Sequence, residues 1–418
     1  MMRWLGIAFL LLCGTPALAD DAESDALRLA DETPASTHTA RSWQAYAEFA
    51  SGTSWPQAAG AARHDARFSL DWRLEPAASG PWHMRAAGRL DMRSRPALMQ
   101  EHTMHTLKDA VLGYTATQNV LVEAGRIRLR QGVALGYNPT DFFRNGSMRS
   151  EVSMDPASLR ENRQGSAMLR IQHLGANGAW LFALSPRLAE RKPAPSGWHP
   201  DWGATNHLHR AMLAYTPRWS ESTSAQGLLH LRQGHSAQWG LNLSGLVGQA
   251  TVAHLEWSAG SAATQWNQAL DLPGPHRWRH RLATGATYTT SQKLSLTAEL
   301  HYNGAAPGRS AWQALRMEPL PAYLQYRAWA LHALEPSTRF ALLAHATWKD
   351  ALVPRLDLSG LLHLDRVDAS RRLWIEARYW GEQFDIAVQW QRNQDTPLSQ
   401  FGLWPAAKRL EVSLRRHF

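Results

Sequence analysis

Cysteine occurs once in the 418 residues, at Cys13, and lysine only five times, at Lys108, Lys192, Lys293, Lys349 and Lys408. Because Cys13 lies inside an N-terminal apolar run, a chain cut after that run has no disulfide, and its stability must come from other contacts. Beyond residue 20 there is no stretch of 18 or more apolar residues, which excludes a membrane-spanning helix. No Pro/Gly/Ser linker, charge block or shift in composition divides the rest, so one continuous architecture is expected.

The first twenty residues carry a basic Arg3, an apolar run from Trp4 to Leu12, then Gly14, Pro16 and Ala17-Leu18-Ala19. They read as a secretory signal peptide, 1–19, cut after Ala19. Lipidation at Cys13 is disfavoured, because Leu12 stands where that processing wants a small residue. The 44 Lys+Arg outnumber the 35 Asp+Glu, yet a secreted basic chain meets no nucleic acid. Arginine richness also has a bland explanation in a GC-rich genome. The 20 tryptophans exceed the needs of a soluble core and suit the aromatic girdles of membrane barrels.

From about residue 42 onward, apolar and polar residues alternate with a period of two. Phe68, Leu70, Trp72 and Leu74 alternate with Arg67, Ser69, Asp71 and Arg73; Trp82, Met84, Ala86 and Leu90 with His83, Arg85, Arg89, Asp91 and Arg93. Leu294 to Tyr302 and Phe384 to Trp390 repeat the pattern. Runs of this length match tilted transmembrane strands of about 9–11 residues rather than soluble strands of about five or six. The expectation is an all-β transmembrane antiparallel barrel over 42–418, of about 18 strands with 16 as the next choice, apolar face to lipid and polar face to the lumen. Residues 20–41 would form a poorly ordered periplasmic segment. About 19 segments can be counted where an even number is required. Glu75–Gly80, Thr290–Lys293, Leu334–Thr338 and Gly381–Gln383 read as hairpin turns. Walking back from the C-terminus, the long stretch from Asn303 to Pro321 then falls on the periplasmic side, where connections should be short.

The closing segment places Leu410, Val412, Leu414 and Phe418 on one parity. It resembles the recognition signal read by the barrel-assembly machinery, except that Arg416 stands where an apolar residue is common. Alternation stops between Gln131 and Gly165, where Asp141, Arg144, Arg149, Glu151, Asp155, Arg160 and Arg163 concentrate. Asp155-Pro156 can start a short helix there. Such a loop folds into the lumen as a constriction or stays outside the barrel; the sequence leaves both open.

Gly125-Arg126, Asn138-Pro-Thr-Asp141-Phe-Phe-Arg144, Asn162-Arg-Gln-Gly165, Glu299-Leu-His-Tyr-Asn303-Gly304 and Ser399-Gln-Phe-Gly402 follow one another along the chain. In that order they resemble large proteobacterial outer-membrane barrels of the porin and alginate-export-like kind. The resemblance implies diffusion or export through the lumen, and a part for Asp141 and Arg144 in ordering the loop.

The inward parity carries Arg67, Arg73, Arg85, Arg89, Arg93, Arg277, Arg279, Arg281, Arg372 and Arg378. A ring of guanidinium groups in a water-filled channel favours anions, unless Asp71, Asp91, Glu299, Glu376 and Asp385 on the same faces pair with it. His207/His209, expected on one strand face, and His276/His280 lack the further ligands a metal needs. His235-Ser236 would sit on opposite strand faces, which argues against a nucleophile and base pair. No enzyme, cofactor or metal is expected. The expected partners are outer-membrane lipid, the assembly machinery and a small anionic solute or acidic polymer, with oligomeric state open. A channel or exporter of anionic solutes or an acidic polysaccharide leads. A non-catalytic scaffold of a secretion or electron-conduit assembly comes second, and a barrel hydrolase third.

Overall fold

In a computed structural model the chain is described over residues 42–57, 60–95, 101–191, 196–220, 222–394 and 396–418. Segments 1–19 and 20–41 lie outside the described residues. The first nine strands are β1 (Trp43–Pro56), β2 (Arg63–Leu74), β3 (Trp82–Arg93), β4 (Thr103–Thr117), β5 (Val120–Ile127), β6 (Ser166–Gly175), β7 (Gly178–Ser185), β8 (Arg210–Pro217) and β9 (Thr223–Arg232). They continue as β10 (Gln238–Val247), β11 (Thr251–Ala262), β12 (Arg277–Thr289), β13 (Leu294–Asn303), β14 (Phe340–Trp348), β15 (Leu356–Asp365), β16 (Arg371–Trp380), β17 (Phe384–Gln394) and β18 (Ala406–His417). Each pairs antiparallel with its neighbours in sequence, and β1 closes on β18 from Tyr46 opposite His417 to Trp55 opposite Lys408. The 18-stranded closed barrel is the one expected.

Closure satisfies the backbone of every strand, which is what a lipid environment demands. The side-chain alternation then sorts the two faces. Phe49, Phe68, Leu112, Ile386 and Val412 are exposed on the outside, while Ser69, Asp91, Thr297, Glu299 and Asp385 are buried within. That inversion of the usual soluble pattern is what a lipid-facing belt requires. Near the end where β1 starts and β18 finishes, Trp82 packs on Tyr114 at 4.7 Å and Trp180 on Tyr215 at 4.3 Å between ring centroids, as members of an aromatic girdle. Arg416, the departure in the closing strand, also points outward, its guanidinium 5.5 Å from the Phe384 ring and 5.2 Å from that of Phe418. Its aliphatic stem can lie along the belt while the charge reaches the interface.

Connections after even-numbered strands span at most seven residues, at 75–81 and 349–355, whereas those after odd-numbered strands include 128–165, 186–209 and 304–339. Short turns, the start of β1 and the end of β18 share one end, which is the periplasmic one. The long Asn303–Pro321 stretch therefore lies at the extracellular end, correcting the expectation. Its cause is Leu334–Thr338. Taken as a hairpin turn, it makes a strand of the residues before it, and one extra strand inverts the parity of everything upstream. Those residues are helical instead. The described helices, all in connections, are α1 (Pro156–Glu161), α2 (Trp202–Thr205), α3 (Gln265–Ala269), α4 (Arg309–Leu315) and α5 (Leu320–Ala333). Leu334 caps α5 in the left-handed region at φ 52°.

Candidate functional site

The inner wall running from β16 through the β18–β1 closure to β4 is charged and closely paired. Glu48 accepts from Arg67 at 2.7 Å and from Arg415 at 2.8 Å, and Arg67 also reaches Glu411 at 3.2 Å. Arg89 bonds Asp91 at 2.9 Å, and Lys108 bonds Asp71 at 2.6 Å. A bulge explains Lys108: Ala87 pairs with Asp109 but Gly88 with Leu107, so two consecutive charged residues both point inward and are buried. Buried charges of this kind persist only in mutual contact.

The ten arginines picked from the alternation do not form one free ring. Arg67 and Arg89 belong to the paired lattice, Arg378 bonds Glu376 at 2.9 Å, and Arg85 lies 3.9 Å from Asp109. Arg73 is exposed at the periplasmic mouth beside Glu75. Arg93 donates to the carbonyl of Glu151 at 2.7 Å. Arg372 bonds Asn393 at 2.9 Å and stacks on Trp404 at 4.5 Å. Arg277 and Arg279 stand at the extracellular end of β12, and Arg281 lies 3.7 Å from Glu335.

At Ile127 the chain leaves the wall, and residues 128–165 turn into the lumen. Phe143 enters an apolar cluster formed by Met168, Ala183, Met212, Ala214 and Leu228 from β6 to β9, worth about 1.5–3 kcal/mol for the buried ring. Phe142 stacks on His230 at 4.7 Å. Across the lumen, three carboxylates hold the loop in sequence order. Glu256 on β11 accepts from the backbone N–H groups of Val133 and Ala134, both at 2.6 Å. Glu299 on β13 accepts from those of Leu135 and Gly136 at 2.6 and 2.9 Å. Glu335, in the 304–339 connection, accepts from Tyr137 Oη at 2.9 Å and Arg144 Nη2 at 2.5 Å. Gly132, at φ 79°, is required here, since a Cβ would lie 2.3 Å from the Glu256 carboxylate.

The other loop candidates bond within the loop or to the backbone beside it. Arg163 bonds Asp141 at 2.6 Å, Arg160 donates to the carbonyl of Ala134, and Arg149 donates to the carbonyls of His105 and His199. Asp155 caps α1 by accepting from Ser158 N at 2.9 Å, with Pro156 in the first turn. Burial alone would push Glu335 up, but Arg144 and Arg281 hold it below the ordinary glutamate range. Burial pushes Glu151 and Asp155 up.

The loop separates two cavities. Below it, a periplasmic vestibule of about 2170 Å3 is lined by acidic and basic residues alike, including Glu48, Asp71, Glu376 and Arg378. Above it, a cavity of about 240 Å3 gathers Arg144, Arg232, Arg281, His230, His235 and His276, with Asp141, Asp271 and Glu335. The Arg232 side chain makes no hydrogen bond or ion pair with any described residue, while burial and then Arg232 push His235 down to about 4. Sequence reading missed Arg232 and His230, although both sit on the inward parity of β9. His235 and Ser236 lie in the β9–β10 turn, and His207 and His209 precede β8, so none of the four is on a strand as expected. Among the described residues no cluster of three or more His, Cys, Asp or Glu could hold a metal.

No family model and no curated protein matches the chain. Solved structures do. *Pseudomonas aeruginosa* OccK2 (OpdF) in complex with glucuronate is similar with a TM-score of 0.55 and 9% identity over 90% of this chain and 98% of that one. A BenF-like porin from *Pseudomonas fluorescens* Pf-5 gives 0.54, 9%, 90% and 98%, and *Acinetobacter baumannii* OccAB1 gives 0.52, 10%, 90% and 96%. At such identity the likeness establishes the fold, that of porin barrels. Closed barrel, outward apolar belt and shared fold place this protein in an outer membrane.

Proposed function

We propose that the barrel is a selective channel for small carboxylate-bearing solutes, captured in the outer cavity beside Arg232. The observation that carries this reading is the contrast in pairing: the lattice arginines are neutralised by neighbours, whereas Arg232 faces the cavity with no bonded partner. A guanidinium held in a partly buried site binds a carboxylate in bidentate fashion more strongly than it binds water. The cavity is small, and three carboxylates fasten the loop beneath it, which favours small solutes over an acidic polysaccharide. Glucuronate, bound in the similar OccK2 barrel, supplies a probe.

Glucuronate added at the loop side of the barrel in a planar bilayer should interrupt the ionic current, and neutral glucose should not. In Arg232→Gln the concentration for half-block should rise at least tenfold, the equivalent of about 1.4 kcal/mol. Equal interruption by glucose, or block unchanged in the variant, would refute the reading.

A further inference from the structure

The outward parity of β15 to β18 is apolar across the belt and carries no acidic residue among the described ones, but its extracellular end is basic. Arg392 on β17 stands directly opposite Lys408 on β18. Arg371 on β16 stands opposite Gln394, one outward step from Arg392, and donates to the Gln394 side chain. Arg366, one residue past β15, continues the ladder through its N–H bond to the carbonyl of Phe340 at 2.9 Å. All four cations are exposed. Arg366, Arg392 and Lys408 bond no described side chain.

Like charges directly opposite on one sheet face sit about 5 Å apart and repel. A stable barrel that places Arg392 opposite Lys408 therefore gains from an anion between them. The height of the pair decides which anion. Immediately below come Ile375, Trp390 and Leu410 on the same parity, all facing lipid. The other edge of the belt on β18 is marked by Arg416, eight residues on, or about 26 Å along a tilted strand at 3.3 Å per residue. Arg416 lies over two aromatic rings and so already has partners. The upper cations lie where the apolar belt meets the headgroup layer of the outer leaflet, and a ligand there needs phosphate at that level with acyl chains alongside the strands.

We infer that the outward extracellular rim of β16 to β18, built on Arg371, Arg392 and Lys408, docks the phosphorylated headgroup of an outer-leaflet glycolipid. Arg forks match phosphate oxygens bidentately, and Lys adds a point charge. The site faces away from the lumen, so it stands apart from what the channel carries.

The test uses the purified full chain in detergent, with heat-modifiable electrophoretic mobility confirming that each variant is folded. Bisphosphorylated lipid A is titrated and the bound fraction counted by native mass spectrometry. The expected result is retention of lipid A by the parent, at least tenfold weaker retention by Arg392→Gln/Lys408→Gln, and parent-like retention by Arg416→Gln. Removal of the phosphates from lipid A should abolish the difference between parent and double variant. Four results would overturn the assignment: retention unchanged in the double variant, equal loss in Arg416→Gln, displacement by inorganic phosphate at matching concentration, or equal retention of phosphatidylglycerol.

Discussion

Two walls of one barrel meet the lumen in different ways. From β16 round to β4 the inward residues are ionic and satisfy one another, Glu48 taking Arg67 and Arg415 while Asp71 takes Lys108. At the level of the loop, β6 to β9 present small or apolar residues, Met168, Ala183, Met212, Ala214 and Leu228, which receive Phe143, with Arg210, His230 and Arg232 above them. The first wall is held by charge and is indifferent to shape; the second is held by shape and, at that level, has little charge. An abundance of inward arginine is therefore a poor guide to selectivity, because a guanidinium already bonded to two carboxylates presents little unspent charge to a solute.

This contrast can be broken at graded cost. Arg67→Ala should have the largest effect, removing the buried cation that Glu48 and Glu411 share while Arg415 and Arg409 stay in place, and costing about 3 kcal/mol, the lower end for breaking a buried pair, read as a lower denaturation midpoint by tryptophan fluorescence. Glu335→Gln should come next, at about 1.5–3 kcal/mol for its charge-assisted bonds to Arg144 and Tyr137, and single-channel recordings should become noisier as the loop loosens. The same contact predicts a pH effect of definite sign. Glu335 is held below its ordinary value, so its contribution is complete above about pH 4.3 and is lost as pH falls through the folded value. Loop noise should thus appear in the parent on acidification and be present at neutral pH in Glu335→Gln. On the apolar wall, Ile127→Val should cost about 0.5–1.5 kcal/mol, with no dependence on salt. Arg73→Ala, at an exposed pair with Glu75, should cost at most about 1 kcal/mol, fading as salt is added.

How much of this was legible in the sequence follows from the physics of each feature. A period of two is a local property, so Phe68 to Leu74 and Phe384 to Trp390 declare both strand and facing, and loss of alternation marks 131–165. The helical pair α4 and α5 was not legible, because residues 320–333 carry apolar groups on all sides and their end at Leu334 mimics a turn. Pairing was not legible either: Arg67 and Glu411 lie at opposite ends of the chain and meet only because β1 closes the ring. The outer cavity draws on β9, the β9–β10 turn, β12 and the three connections 128–165, 263–276 and 304–339, a convergence that no single segment announces.

On the proposed reading, anion selection resides in the unpaired Arg232 above the loop and not in the paired wall. It is tested most directly by the zero-current potential of the reconstituted barrel across a potassium chloride gradient, measured for the parent and for Arg232→Gln. The expected potential has the sign given by chloride preference and moves toward zero in the variant. Cation preference in the parent, or a potential identical in the two proteins, would contradict it.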